Sequence, residues 1–501
     1  MSEFKSFAFF FLLNLNICLG TFVMGFFLTV YNPLQNQISH LYNWTDSSTK
    51  SFYEGLITSL IPLGAIFANL FSSKLIEYFG RKPSCLIIDL FCILSTILTL
   101  FSELPLLIIG RFLCGIAVGV NSVLVGIYMK EISPLEHVHF FSSLGGFMLN
   151  FGMVGSFLFG INTLNEAELD KGVTDNWWRV MFAFPMAICL IRSFCILVFF
   201  NYESPSFLIR KQREAEALKI LKKLYKNNEK VAERIFYETK ERVENCSSSK
   251  NLRYGELFTQ KYLLRFLIAL TLVFGNQYSG VNAIAFYSKS LFTKLGGSDS
   301  TANTLNGILG AVNLISGLLI AFPLKFFGIR KTYLMSCLGS ALMLGLVALF
   351  VLLEINLLSL LFIYGYNFFF SIGIGPIIFM SVPQLLPEKF VSVVFTFFWI
   401  LAFVIGLSFP MMMSSAMNVD GSFLFFACCC VIAFVFNFLN LPDITGKTGE
   451  EVELLFEKKR GGGVNVLDEN ILDGERINYD KMDSLITKDN LSKGSEEVSN
   501  I

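Results

Sequence analysis

Twelve apolar runs, separated by short polar breaks, set the rhythm of the chain. They fall within 7–30, 53–73, 84–101, 105–127, 139–160, 179–200, 263–288, 303–324, 332–353, 357–381, 390–413 and 422–440. A helix needs about 20 mostly apolar residues to cross a bilayer, so the pattern predicts an all-α polytopic membrane protein with twelve transmembrane helices. The first run is too long for a signal-peptide core and lacks a small-residue cleavage site, so it is expected to be retained. Two stretches break the rhythm. Residues 201–262 are polar and helix-forming. Between Arg210 and Tyr225 the apolar Leu218, Leu221, Leu224 and Tyr225 recur at helical spacing, which predicts short amphipathic helices on one membrane face. From 458 onward the chain is polar, begins with Gly461-Gly462-Gly463, and carries too little apolar surface to order itself. The expected organisation is a six-helix half over 1–200, an amphipathic-helix linker over 201–262, a second six-helix half over 263–457 and a disordered tail over 458–501.

Composition narrows the class. Of 501 residues, 54% are hydrophobic and 16% charged, against about 25% charged in soluble proteins. Lys+Arg and Asp+Glu both number 39, which leaves no basic excess for nucleic acid. The eleven Cys lie mostly in apolar runs, as at Cys85, Cys92, Cys114 and Cys428-Cys429-Cys430, where they read as small buried hydrophobes. They form no metal-ligand set with the three histidines, His40, His137 and His139. With no nucleophile–base constellation and no nucleotide loop, neither an enzyme nor a cofactor is expected. The bilayer is the expected environment.

Charge orients the spans. Lys74, Arg81 and Lys82 follow span two, basic residues crowd 201–262, and Lys325, Arg330 and Lys331 follow span eight. A twelve-span count puts all of them on one side, which the positive-inside rule makes cytoplasmic. Both termini are then cytoplasmic, and the Asn43-Trp44-Thr45 sequon lies outside, where Asn43 is a candidate for glycosylation. The plasma membrane is the expected location, an internal membrane the alternative.

The halves repeat a motif. Glu77-Tyr78-Phe79-Gly80-Arg81-Lys82 follows span two, and Lys325-Phe326-Phe327-Gly328-Ile329-Arg330-Lys331 follows span eight. Each places a turn-forming glycine and a basic pair between helices. Recurrence at matching places in two six-span halves is the mark of a duplicated transporter. At this point the sequence resembles the sugar porter family of the major facilitator superfamily, and the facilitative glucose transporters within it. Gly80-Arg81-Lys82, Gly110-Arg111-Phe112, Glu131-Ile132-Ser133-Pro134, Glu203-Ser204-Pro205-Ser206-Phe207-Leu208, Asn276-Gln277-Tyr278-Ser279-Gly280-Val281-Asn282 and Pro442-Asp443-Ile444-Thr445-Gly446-Lys447-Thr448 stand in order at the matching spans. The resemblance covers about residues 20–456.

A sugar needs partners that both donate and accept hydrogen bonds, which side-chain amides do, and an aromatic face for its ring. Amides inside a span mark cavities or helix contacts. The resemblance implies that Gln277, Asn282, Asn276 and Asn313 contact substrate, with Phe379, Trp399 and Tyr287 as aromatic neighbours. Helix–helix contact is the alternative for the amides, and plain packing for Tyr287. It also implies a gating charge network of Gly80, Arg81, Lys82, Arg111, Glu131, Glu203 and Arg330, and a hinge at Gly373, Gly375 and Pro376. No cofactor is implied.

Several positions depart from the family pattern. Gly146 stands where a span-five Gln is usual, Ser371 near a span-ten Glu, and Phe398-Trp399 where relatives have Asn-Trp. A more apolar site follows, compatible with a hexose, a modified sugar, a polyol or another small organic solute. Gln384 replaces a Glu after span ten, from which a less stabilised outward-facing state is expected. Phe27 occupies the place of the Asp that carries a proton in coupled relatives, which favours facilitated diffusion over proton symport. Asp89 and Arg192, each inside an apolar run, are further buried charges of open role. A non-transporting sugar sensor on the same scaffold is the reading from a different class.

Overall fold

The computed structural model describes residues 2–134, 137–164, 166–225, 229–246, 253–295, 298–447 and 451–456. The tail expected to be disordered over 458–501, Thr448 of the last motif, and the side chains of His139 and Glu388 lie outside what is described.

The apolar runs become helices. The first half contains α1 (Ser2–Thr29), α2 (Gln35–Leu41), α3 (Ser47–Phe79), α4 (Arg81–Thr99), α5 (Leu104–Ile132), α6 (Val138–Gly160), α7 (Glu166–Leu169) and α8 (Trp177–Val198). The linker contains α9 (Pro205–Arg210), α10 (Glu214–Leu224) and α11 (Glu229–Cys246). The second half contains α12 (Gln260–Asn276), α13 (Asn282–Lys294), α14 (Asp299–Leu319), α15 (Ala321–Leu352), α16 (Asn356–Ile372), α17 (Ile374–Leu385), α18 (Glu388–Ser414) and α19 (Asn418–Asn440). Among the described residues, eleven helices are long and apolar enough to cross a membrane. The expected seventh span is present but broken: α12 and α13 are joined by a π-turn, Gln277–Val281. At 1.5 Å per residue neither piece alone spans a hydrocarbon core of about 30 Å. With these two pieces counted as one interrupted span, the chain is a twelve-span helical protein.

Local chemistry sets the ends. Asp46 caps α3 by accepting the Thr49 N–H at 2.9 Å, and Ser204 caps α9 by accepting the Phe207 N–H at 3.2 Å. Helices pack closely where side chains are small. A Cβ added to Gly115 of α5 would sit 2.3 Å from the Ile61 carbonyl of α3, so the two backbones touch there. Span ten breaks where glycines and proline interrupt it: α16 stops at Ile372, Gly373 leaves helical geometry, and α17 begins at Ile374 with Gly375 and Pro376 in its first turn.

The linker helices are amphipathic. Phe207, Leu208, Ile209, Ala217, Leu221, Ala232 and Phe236 form a small core of their own. Leu224 turns instead to the first half, and Tyr225 packs on both, its ring 5.4 Å from that of Phe10. Residues 451–456 are helical.

Candidate functional site

The broken span brings the candidate amides together. In a continuous α-helix Gln277 and Asn282 would point about 140° apart. The π-turn, with Gly280 at φ +91°, removes that offset. Asn282 then donates its amide to Gln277 Oε1, and Gln277 donates to Asn276 Oδ1 at 3.1 Å. Asn276 in turn donates to the Ile374 carbonyl at 3.1 Å, beside the break at Gly373. The two interrupted spans thus meet through one amide chain. Asn276 and Gln277 are buried, whereas Asn282 stays half-buried. Asn313 on α14 is also half-buried and accepts from the Ser371 hydroxyl at 2.7 Å. Ser371, standing near the usual span-ten carboxylate, has become a partner of a candidate ligand.

The aromatic candidates separate. Phe379 is exposed and stacks on Phe395 with ring centroids 5.5 Å apart; Phe398 lies 6.0 Å from Phe379 and 5.2 Å from Trp399. Trp399 itself is buried in the apolar cluster of the first half. Tyr287 is fully buried and donates to the Gly406 carbonyl at 2.5 Å. A Cβ at Gly146 would meet nothing within 4 Å, so open space lies where relatives carry an amide.

Next to Tyr287 runs a seam the sequence did not disclose. Asn32 donates to the Ala285 carbonyl at 2.8 Å and to Ser288 Oγ at 2.7 Å, and accepts from the Lys289 N–H at 3.0 Å. Gln35 donates to the Phe286 carbonyl at 2.9 Å, and Asn303 to Thr163 Oγ1 at 3.1 Å. Among the described residues, hydrogen bonds between the halves lie at this end of the bundle, the end that carries the Asn43 sequon. Asn43 is exposed there, beside a buried Trp44.

At the opposite, basic end lie two networks, one in each half. Gly80 has φ +97° and Gly328 φ +72°, both with ψ near 180°. In the first half the Arg81 N–H donates to Glu203 Oε1 at 2.9 Å, and Glu203 also receives the Lys82 and Ser204 N–H groups. Burial pushes the Glu203 carboxyl up, while those N–H groups pull it down. Arg81 pairs with Glu131 in a two-pronged contact of 2.6 and 2.8 Å, and Glu131 also takes Arg210 and, at 2.6 Å, Ser204 Oγ. In the second half the Ile329 N–H donates to Thr445 Oγ1 at 2.7 Å, and Arg330 donates to the Phe438 carbonyl at 2.9 Å. The Gln384 carbonyl oxygen is buried without a partner.

The buried charges resolve. Arg192 and Asp89 form an ion pair sealed from solvent; Arg192 Nε lies 3.0 Å from Asp89 Oδ2, Ser193 donates to the same oxygen at 2.8 Å, and Asn121 accepts from Arg192 at 3.1 Å. Arg111 donates to the Phe27 carbonyl at 3.2 Å and rests its guanidinium 5.7 Å from the Tyr31 ring.

Known proteins share this architecture. The family described as "Sugar (and other) transporter" matches residues 13–456. The facilitated glucose transporter member 1 of Gallus gallus is 28% identical over 478 residues, spanning 90% of this chain and 93% of that protein. Member 2 of Sus scrofa is 30% identical over 425 residues, spanning 81% and 78%. The inward-open conformation of the xylose transporter XylE from E. coli superposes with a TM-score of 0.74 at 20% identity, over 89% of this chain and 99% of that one. Its partially occluded inward-open conformation gives 0.73 at 20% identity, over 87% and 100%.

Proposed function

Since the chain belongs to the sugar porter family of the major facilitator superfamily, we propose that it moves a hexose or related sugar by alternating access and facilitated diffusion. The observation that carries this reading is the asymmetry of the seam. Bonds between the halves gather at the sequon end, directly beside the amide chain of the broken span, while the basic-end networks stay within each half. Such an arrangement supports a carrier closed on one side and free to part on the other. In this reading the basic end is cytoplasmic, the sequon end is outside at the plasma membrane, and Asn43 is glycosylated.

Uniport is supported by what surrounds the candidate proton groups. Phe27 offers Arg111 only a backbone carbonyl. Both Asp89 oxygens are engaged by Arg192, and Asp89 is fully buried. Substrate recognition falls to Gln277, Asn282 and Asn313, with Phe379 and Phe398 as the apolar face. The space at Gly146 favours a second reading within the same mechanism, a sugar or polyol bulkier or less hydroxylated than glucose. A substrate panel in a transport-deficient host, repeated with a protonophore, tests both. Uptake of a sugar that survives the protonophore is the expected result; collapse of uptake would make the protein a symporter. Gly146→Gln should lower the KM for glucose by adding a donor and acceptor, by about tenfold if one hydrogen bond of about 1.4 kcal/mol is gained. An unchanged KM would remove position 146 from the site.

A further inference from the structure

Lys289 is a buried cation on the gating seam for which the sugar reading gives no task. It lies in α13, beyond the π-turn, and is 2% exposed. Its Nζ donates to the Pro33 carbonyl at 2.8 Å and reaches Thr163 Oγ1 at 3.4 Å. Pro33 belongs to the turn after α1, and Thr163 follows α6. Gly160 packs against that turn so closely that a Cβ there would meet Pro33 at 2.4 Å. Thr163 is also the acceptor for Asn303. One ammonium therefore ties a separate helical piece of the second half to two elements of the first. The charge strengthens each bond relative to a neutral donor. The ammonium is stripped of water only while the seam is shut, so it bears on one conformation and not the other.

We propose that Lys289 is a positioning residue that sets the resting side of the carrier, holding it closed at the sequon end through Pro33 and Thr163. The proposal rests on alternating access but not on the identity of the substrate. Replacing the ammonium with an apolar chain of similar length leaves the Pro33 carbonyl without its donor in the closed state and changes nothing in the open one. The carrier then shifts toward opening outward.

The test uses full-length protein in oriented vesicles without substrate. Thr58 is 2% exposed on α3 beside Tyr287, and Thr58→Cys gives a reporter for an impermeant maleimide, read against the parent chain. Lys289→Met should raise its labelling severalfold from the sequon side. Thr163→Val should also raise it, because it removes the Asn303 bond as well as the reach to Lys289, and the double variant should raise it by less than the two single effects combined, because the Lys289–Thr163 contact is shared. In flux assays Lys289→Met should change influx and efflux by different factors. Should Lys289→Met fail to insert, Thr163→Val carries the same labelling test. Unchanged labelling in the inserted variants, or influx and efflux falling equally with labelling constant, would overturn the proposal. Labelling that responds while no sugar moves would leave the latch standing and sink the sugar reading instead.

Discussion

The turn at Gly80 and the turn at Gly328 solve one geometric problem with different chemistry. Both glycines take a conformation that other residues avoid, and in both the next N–H is met by a side-chain oxygen from the segment after the last span of its half. The first half then adds a buried ion pair, Arg81 with Glu131, shared with Arg210 of the linker. The second half adds a neutral partner, the Phe438 carbonyl that accepts from Arg330. The shared part is what the turn needs in order to exist. The unshared part ties the turn to its neighbours, and the first half is tied far more firmly. A carrier whose basic end must open and close can thus hold one half as a fixed body and let the other respond.

Substitutions at the two turns should separate the halves. The largest effect is expected from Glu131→Gln, which strands Arg81, whose side chain is 3% exposed. Removing one partner of a buried pair costs about 3–5 kcal/mol, so thermal unfolding in detergent should move down steeply. A shift no larger than that of a surface substitution would mean the pair is ornamental. Gly80→Ala and Gly328→Ala come next, at about 1–3 kcal/mol each from the backbone alone. Gly80→Ala should cost more, because its Cβ would lie within 3 Å of two side chains, Glu203 and the less yielding Phe207 ring, whereas a Cβ at Gly328 would come that close only to Thr445 Oγ1, at 2.6 Å. Equal and negligible losses would show that the turns do not require glycine. Gln384→Glu should shift the carrier toward the outward-facing state by returning a carboxylate to the basic end, seen as lower accessibility of cysteines introduced on that side; unchanged accessibility would discard it. The smallest effect is expected from Arg330→Ala, which removes a charge-assisted hydrogen bond from an exposed guanidinium nitrogen to the Phe438 carbonyl and strands no buried charge. A loss matching that of Glu131→Gln would erase the distinction between the halves.

Much of this was legible in the sequence because it depends on local pattern. The apolar runs, the glycine–basic turns and the amphipathic linker are periodicities and dipeptides; the runs are helices, and Gly80 and Gly328 have positive φ between helical segments. The amides of span seven were legible as residues, but their joining was not: it requires the π-turn at Gly280, which packs on Phe426 far along the chain. Asp89 and Arg192 were each conspicuous in an apolar run, yet 103 positions separate them, and only tertiary packing makes them partners. Arg111 had no legible partner because its acceptor is the backbone of Phe27, which any residue could supply. Asn32, Thr163 and Lys289 carry no signal at all until the halves meet. Trp399 was legible as an aromatic candidate, but not its burial in the apolar cluster of the first half, which again depends on the halves meeting.

Counterflow distinguishes a carrier from a protein that only binds sugar. Proteoliposomes holding the purified full-length chain are loaded with unlabelled hexose and diluted into a trace of labelled hexose. An alternating-access uniporter predicts transient, saturable accumulation of label above its equilibrium level, untouched by a protonophore. Binding of label without any overshoot would contradict the account.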